Sequence, residues 1–331
     1  MSAQERWPVT RMRKSLVALL IVLFAVIAAA PLAYWHAPGP ADSSLTVQIP
    51  EGVTLGRAAA LIEEQGAMRN AALFRRLARW LGSSDPIRAG EYELPARASP
   101  ARILDILQHG KPVQRLVTIP EGMPSILVYE KLMAEPLLVG RIDVPVEGSV
   151  LPDSYGFERG ETRAAVLKRM QDAMTKTLDS LWKDRAKTTP VSSQREAIIM
   201  ASIVEKETGK PAERRMVAGV YSNRLRIGMG LQADPTVIYP ITRGKPLGRR
   251  IRQSELRADN GYNTYARAGL PQGPIANPGR ESIAAVLNPA KTKALYFVAD
   301  GTGGHVFADT LAQHQANVVK WYAIRRARGE M

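Results

Sequence analysis

Hydrophobic and polar positions divide the chain into segments of different period. The first is an uninterrupted apolar run, LVALLIVLFAVIAAAPLA from Leu16 to Ala33, long enough to cross a ~30 Å hydrocarbon core as a helix. Arg11, Arg13 and Lys14 precede it and Tyr34 and Trp35 follow it as interfacial aromatics, so the charge asymmetry places residues 1–15 in the cytoplasm as a tail, residues 16–35 in the membrane and the remainder outside. The competing reading is a cleaved signal peptide, with Ala28, Ala29 and Ala30 as the small residues before a cut. The Pro- and Gly-rich stretch within residues 36–45 then reads as a short linker.

Beyond the linker the pattern repeats. VQIPEG at 47–52 and VTIPEG at 117–122 lie seventy residues apart, and an apolar helical period follows each. In the first copy Ala58, Leu61 and Ile62 mark one helix ending at Gln65 and Gly66, and Leu73, Leu77 and Leu81 mark a second. AGEYEL, Ala89 to Leu94, alternates as a returning strand, and Ser99-Pro100 opens a third helix carrying Ile103, Ile106 and Leu107. The resulting β-α-α-β unit, residues 46–112, resembles LysM-like modules, which bind N-acetylglucosamine chains; a scaffold that binds no sugar has the same pattern. Residues 113–157 form a second repeat-like segment whose turn-rich end, VEGSVLPDSYGF, reads as a hinge. Thr162 caps a helix with Val166, Met170, Met174 and Leu178 on one face, and residues 158–331 make the last domain.

The formal net charge of +14 over 331 residues favours acidic partners, while the outward location and few aromatics argue against nucleic acid. The sequence has no cysteine, which excludes disulfides, thiol catalysis and cysteine-ligated metals, and its four histidines lack metal-ligand spacing. No metal and no cofactor are expected.

Chemistry concentrates in AIIMASIVEKETG, Ala197 to Gly209, with Ser192 or Ser193 as N-cap and Gly209 with Pro211 as the stop. Glu205 and Glu207 are two positions apart, about 200° around a helix, so they cannot jointly flank one glycosidic bond. Each shares a face with apolar residues, and periodicity does not choose between them. A desolvated carboxyl keeps its proton to higher pH, which suits a general acid; the alternative is a solvated helix end paired with Lys206 and Lys210. Glu213 to Leu225 reads as another helix, and GMGLQADPTVIY, Gly228 to Tyr239, as a glycine-broken loop entering a short strand. YNTY, Tyr262 to Tyr265, and the rigid loop GLPQGPIANPG, Gly269 to Gly279, offer Asn and Gln to sugar hydroxyls. LYFVADG, Leu295 to Gly301, is the final strand, and His305 in the following GGHVF reads as a loop or packing residue.

Together ASIVEKET, NRL, GMGLQADPTVIY, YNTY, GLPQGPIANPG and YFVADGTGGHVF resemble the MltG (YceG-like) endolytic murein transglycosylase family, and TIPEG, AGEYEL and VEGSVLPDSY extend the likeness over nearly the whole chain. The resemblance implies an α+β protein with an N-terminal transmembrane helix, LysM-like modules and a mixed α+β catalytic domain in the periplasm, anchored in the cytoplasmic membrane. It implies cleavage within peptidoglycan strands at the MurNAc-β-1,4-GlcNAc bond to give 1,6-anhydro-MurNAc ends, limiting strand elongation, with peptidoglycan synthases and membrane lipid as further partners. It also implies one essential glutamate. By likeness to the Glu-Ser pair of other lytic transglycosylases this is Glu207, followed by Thr208, with Glu205 as the alternative. Asp234, Thr236, Tyr239, Asn263, Tyr265 and Gln232 become candidates for lining the sugar cleft. The chain departs from the family pattern at Ser149, Pro240 and Gln272. Two rival readings are a membrane-anchored peptidoglycan-binding scaffold without activity and a hydrolytic muramidase, which needs a second carboxylate or a positioned water.

Overall fold

The computed structural model describes residues 7–330, and side chains from residue 15 onward apart from Ile27; of the expected cytoplasmic tail, residues 1–6 and the side chains of Arg11, Arg13 and Lys14 lie outside the described residues. The chain separates into two compact units, residues 1–114 and 115–331.

The first unit opens with helix α1, Trp7–His36, whose stretch Ser15–His36 is long and apolar enough to cross a membrane. Its flanks are bare: Leu16, Leu19 and Phe24 are all exposed. Strand β1 (Leu45–Ile49), helices α2 (Leu55–Glu64) and α3 (Ala71–Leu81), strand β2 (Gly90–Leu94) and helix α4 (Pro100–His109) follow in the order that the apolar period predicts. β1 pairs antiparallel with β2, Val47 opposite Tyr92, and each helix starts where a side-chain oxygen accepts an orphan N–H: Thr54, Asn70 and Ser99. The face of α3 is turned from the expected one, because Phe74, Leu77 and Ala78 are buried while Leu81 is exposed.

Residues 36–45 are no free spacer. Gly39 N donates to Arg97 O, Arg97 N donates to Ala41 O, and the Arg97 guanidinium pairs with Asp42 at 3.0 Å, which fastens the segment along the unit. The last turn of α1 also joins the core, where Trp35 is 4% exposed and stacks on Phe74 with ring centroids 5.8 Å apart.

In the second unit, β3 (Arg115–Thr118) and α5 (Ser125–Ala134) repeat the strand-turn-helix of the first copy. The turn-rich segment read as a hinge instead supplies β4 (Ser154–Phe157), antiparallel to β3, and buries Val150 and Phe157 in a core shared with Val166 and Met170 of α6 (Arg163–Lys183). Then come α7 (Gln194–Glu207), a short 3-10 turn at Pro211–Glu213, α8 (Arg214–Arg226), α9 (Asp234–Thr242), α10 (Gln253–Arg257) and α11 (Arg280–Leu287). The hairpin β5 (Tyr296–Ala299) and β6 (His305–Ala308) and the closing helix α12 (Leu311–Ala327) complete the unit.

α9 overturns the expected strand after Gly228–Gln232. Asp234 occupies its first turn and Pro235 the position where a missing N–H costs nothing, so the Thr-Val-Ile-Tyr run enters a helix despite its β-branched residues. α7 is the axis of the larger core: every residue from Ala197 to Val204 is buried, against Val217 and Tyr221 of α8 and Ile283 and Val286 of α11. A helix buried all round has fixed ends, so the groups at its C-terminus are held in place.

Candidate active site

α7 begins at Ser193, whose side chain accepts from Glu196 N, and ends at Thr208, before Gly209 and Pro211. Its last turn aims Glu205, Lys206 and Glu207 in three directions about 100° apart.

Glu205 is fully engaged. Its side chain is 5% exposed, Oε2 accepts from Gly279 N at 2.8 Å, and Oε1 lies 3.4 Å from the Arg214 guanidinium, which also pairs with Glu121 at 2.6 Å. The absence of a side chain at Gly279 leaves room for the Glu121 carboxyl, which a Cβ there would displace.

Glu207 has a different setting. The residue is half-buried, and its Oε1 is buried without a hydrogen-bond partner. Desolvation pushes its carboxyl up to about 7; the Asp234 charge adds to this, while the Tyr221 hydroxyl and the Arg224 guanidinium oppose it. Tyr221 and Arg224 come from α8, one turn apart on the face against α7. Tyr221 is 1% exposed, and burial followed by the Glu207 charge raises its phenol well above the usual range. Arg224 is fixed by donating through Nε to Leu295 O at 2.7 Å and through Nη1 to Leu231 O at 2.5 Å.

Of the residues expected to line a cleft, Asp234 and Tyr265 meet beside Glu207. Asp234 is exposed at the start of α9 and accepts from the Tyr265 hydroxyl at 2.6 Å. The other four lie elsewhere in this region. Thr236 is fully buried and bonds with Thr264 Oγ1 at 2.9 Å and Ala233 O at 2.6 Å, so its hydroxyl is used within the loop. Asn263 is 2% exposed and donates to the carbonyls of Glu255, Leu256 and Ala258, while its Oδ1 accepts from Tyr265 N. It shapes the loop that presents Tyr265. Tyr239 packs on Tyr262, centroids 4.9 Å apart, and its hydroxyl interacts with Glu147; Gln232 is exposed, in a left-handed conformation with φ 51°.

His305 is occupied: Nδ1 bonds Glu213 Oε2 at 2.8 Å and the ring stands edge-on to Phe297. Glu213 Oε2 also accepts from the Thr208 hydroxyl at 3.3 Å, tying the β5–β6 hairpin to the end of α7. Of the three departures from the family pattern, Pro240 lies inside α9, Gln272 N donates to Gly261 O, and the Ser149 hydroxyl is buried without a partner. Asn277, expected to face sugar, is fully buried; it donates to Met123 O and to the Ser125 hydroxyl and accepts from Val150 N.

Sequence reasoning passed over Tyr221, Arg224 and Glu147. The signal for Arg224 was present, since it continues the stripe Val217, Tyr221 at i, i+4, i+7, where an apolar residue is the rule. Burial raises Glu147 above the usual carboxylate range, and the Ser125 N–H that donates to it at 2.8 Å opposes the shift. Among the described residues no group of three or more acidic or histidine side chains could hold a metal ion.

Chemically the arrangement offers one carboxyl that holds its proton near neutrality, a phenol and a guanidinium beside it, and a second carboxylate that disfavours its ionisation. The model of the YceG-like family matches residues 47–320. The endolytic murein transglycosylase of Bacillus subtilis (strain 168) is 28% identical, covering 84% of this chain and 85% of that protein. The endolytic murein transglycosylase of Streptococcus pneumoniae (strain ATCC BAA-255 / R6) is 30% identical, covering 83% of this chain; the match spans 58% of that relative's length. A 2.6 Å crystal structure of a yceG-like protein from Listeria monocytogenes superposes with a TM-score of 0.51 at 28% identity, covering 83% of this chain and 99% of that one.

Proposed function

The chain belongs to the YceG-like family, and from that premise we propose that it is an endolytic murein transglycosylase in which Glu207 is the catalytic acid and base. The observation that carries the reading is the Glu207 carboxyl, which has one buried, unpartnered oxygen and is raised by desolvation to about 7, whereas Glu205 is held by Gly279 N and Arg214. A general acid has to carry its proton at working pH and give it up as the bond breaks.

In the proposed reaction protonated Glu207 donates to the oxygen leaving as the glucosamine O4 while the muramyl C1–O4 bond breaks. The ionised carboxylate then accepts the proton of the muramyl C6 hydroxyl as that oxygen closes on C1. The products are a free GlcNAc 4-hydroxyl end and a 1,6-anhydro ring, and Glu207 regains its proton. Ring closure is intramolecular, so positioning alone gives it a large advantage over water. Arg224 and Tyr221 stabilise the carboxylate in between. Asp234 and Tyr265 border the site on the exposed side, where sugar enters.

The apolar stretch Ser15–His36 supports anchoring in the cytoplasmic membrane with the catalytic unit in the periplasm, and the β-α-α-β order of the first unit supports a LysM-like glycan-binding role. Limiting the length of nascent strands, beside peptidoglycan synthases, is the role that fits an endolytic enzyme held at that surface. Digestion of glycan strands in heavy-oxygen water tests the chemistry. Anhydro ends free of label are expected; labelled reducing ends would establish a hydrolytic muramidase, with Asp234 the first candidate for its second carboxylate.

A further inference from the structure

A groove of about 460 Å³ lies in the second unit, formed by the second hexapeptide turn and α5 on one side and by α9 and the following loop on the other. Its walls are apolar, with Met123, Leu127, Ile238 and Leu247 among them, and its charged lining residues are Glu121, Lys206 and Lys245. Two of those three are already paired: Glu121 with Arg214 at 2.6 Å, and Lys245 with Glu130 at 2.5 Å. Among the described residues Lys206 has no hydrogen-bond or ion-pair partner. Its stem lies across Gly122, where a Cβ would come within 3.4 Å of Lys206 Cδ and 3.9 Å of Nζ, and the φ of +72° at Gly122 also calls for glycine. The ammonium is thereby carried over the turn at the edge of the groove. The groove shares two elements with the site described above: the last turn of α7, where Lys206 precedes Glu207, and the start of α9, where Pro235 follows Asp234.

We propose that this groove receives the stem peptide of the muramyl residue whose bond is cut, with Lys206 binding a peptide carboxylate. The inference rests on murein being the substrate. The argument is one of continuity and charge. The bond cleaved is at C1 of the muramyl sugar, so that sugar sits at Glu207; its peptide leaves through the lactyl ether on C3, a few bonds away, and has to lie along a surface bordering the acid. The groove is built on the same two helix ends, α7 and α9, as the acid's site, has the volume of a small-ligand site, and its apolar walls with one unneutralised cation match a short alanine-containing peptide bearing carboxylates. Lysine is suited to this task, since its point charge follows a carboxylate whose position varies with the peptide.

The test compares kcat/KM on glycan strands before and after removal of their peptides by an N-acetylmuramoyl-L-alanine amidase, and reads the ratio of the two. Wild-type protein is expected to favour peptide-bearing strands. Lys206→Ala lowers the ratio about fivefold, the size of one partly exposed charge contact; Lys206→Glu lowers it further, and Lys206→Arg restores most of it. A ratio unchanged in Lys206→Ala and Lys206→Glu, whether or not the absolute rates fall, overturns the assignment of the groove while leaving the transglycosylase reading in place. Failure of the wild-type protein to cut either substrate removes both.

Discussion

The Tyr265 hydroxyl donates to Asp234 Oδ1 at 2.6 Å, and Asp234 is the carboxylate whose charge adds to the desolvation that keeps Glu207 protonated. Two single changes here move the acid in opposite directions. Asp234→Asn removes the negative charge, so the Glu207 pKa falls and the alkaline limb of the rate profile moves to lower pH, with activity at pH 7 reduced severalfold. Tyr265→Phe removes the donor that spreads the Asp234 charge, so the limb moves to higher pH. pH–rate profiles of both variants check this, and a shift in the same direction for both would count against Asp234 as the tuning charge.

Glu207→Gln should reduce strand cleavage by roughly 10²- to 10⁴-fold, the usual worth of a general acid. It should also stabilise the fold at alkaline pH. The folded pKa of about 7 lies above the ordinary glutamate value of about 4.5, so the wild-type fold holds this proton more tightly than the unfolded chain, and stability is lost as pH rises from about 4.5 through about 7. The displacement corresponds to roughly 3 kcal/mol. An amide never ionises, so the variant should melt several degrees above wild type at pH 8 and close to it at pH 4; equal melting at pH 8 would mean that the carboxyl is not desolvated.

Glu205→Ala strands a buried Arg214 and the Gly279 N–H. A loss of about 3 kcal/mol in unfolding free energy is expected, as when one member of a buried ion pair is removed. Glu205→Gln keeps the acceptor for Gly279 and loses less. Denaturant titration distinguishes the two, and activity should follow the folded fraction; complete loss of cleavage in a fully folded Glu205→Gln would move the acid to this residue.

Trp35→Ala should destabilise the first unit by about 3–5 kcal/mol, because a buried aromatic stacked on Phe74 is lost. A chain starting at Tyr34 therefore keeps that unit's core complete, and one starting at His36 does not. Hydrogen exchange in β1 and β2 reports the difference, with faster exchange expected for the shorter chain.

What could be read from the sequence was what local chemistry decides. Ser193, Thr162 and Ser99 cap helices as their residue types predict, and the two hexapeptides each make a strand and a turn before a helix. What could not be read depends on distant partners. Thr-Val-Ile-Tyr in α9 favours a strand by propensity, and the helix there follows from Pro235 and from packing of α9 on α7. Asn277 and Asn263 look like sugar-facing amides in loops, yet their amides satisfy carbonyls, and Asn277 joins segments more than a hundred residues apart. Periodicity puts Glu205 and Glu207 on equally apolar faces. The placement of Gly279 and Arg214 beside Glu205, and of Tyr221, Arg224 and Asp234 about Glu207, all supplied by other elements, makes their surroundings unequal.

The repeated turn has different neighbours in its two copies. In the first copy Glu51 is exposed and, among the described residues, has no hydrogen-bond or ion-pair partner, and a Cβ on Gly52 would point into open space. In the second copy Glu121 binds Arg214 and Gly122 lies against Glu205 and Lys206. The second turn is also tied into its unit by its backbone, Ile119 N donating to Asp153 O and Gly122 N to Asn277 O. The same turn is thus inert in one copy and coupled in the other: a change at position 51 meets no partner, whereas a change at position 121 is passed through a single arginine to Glu205 on the helix that carries the acid.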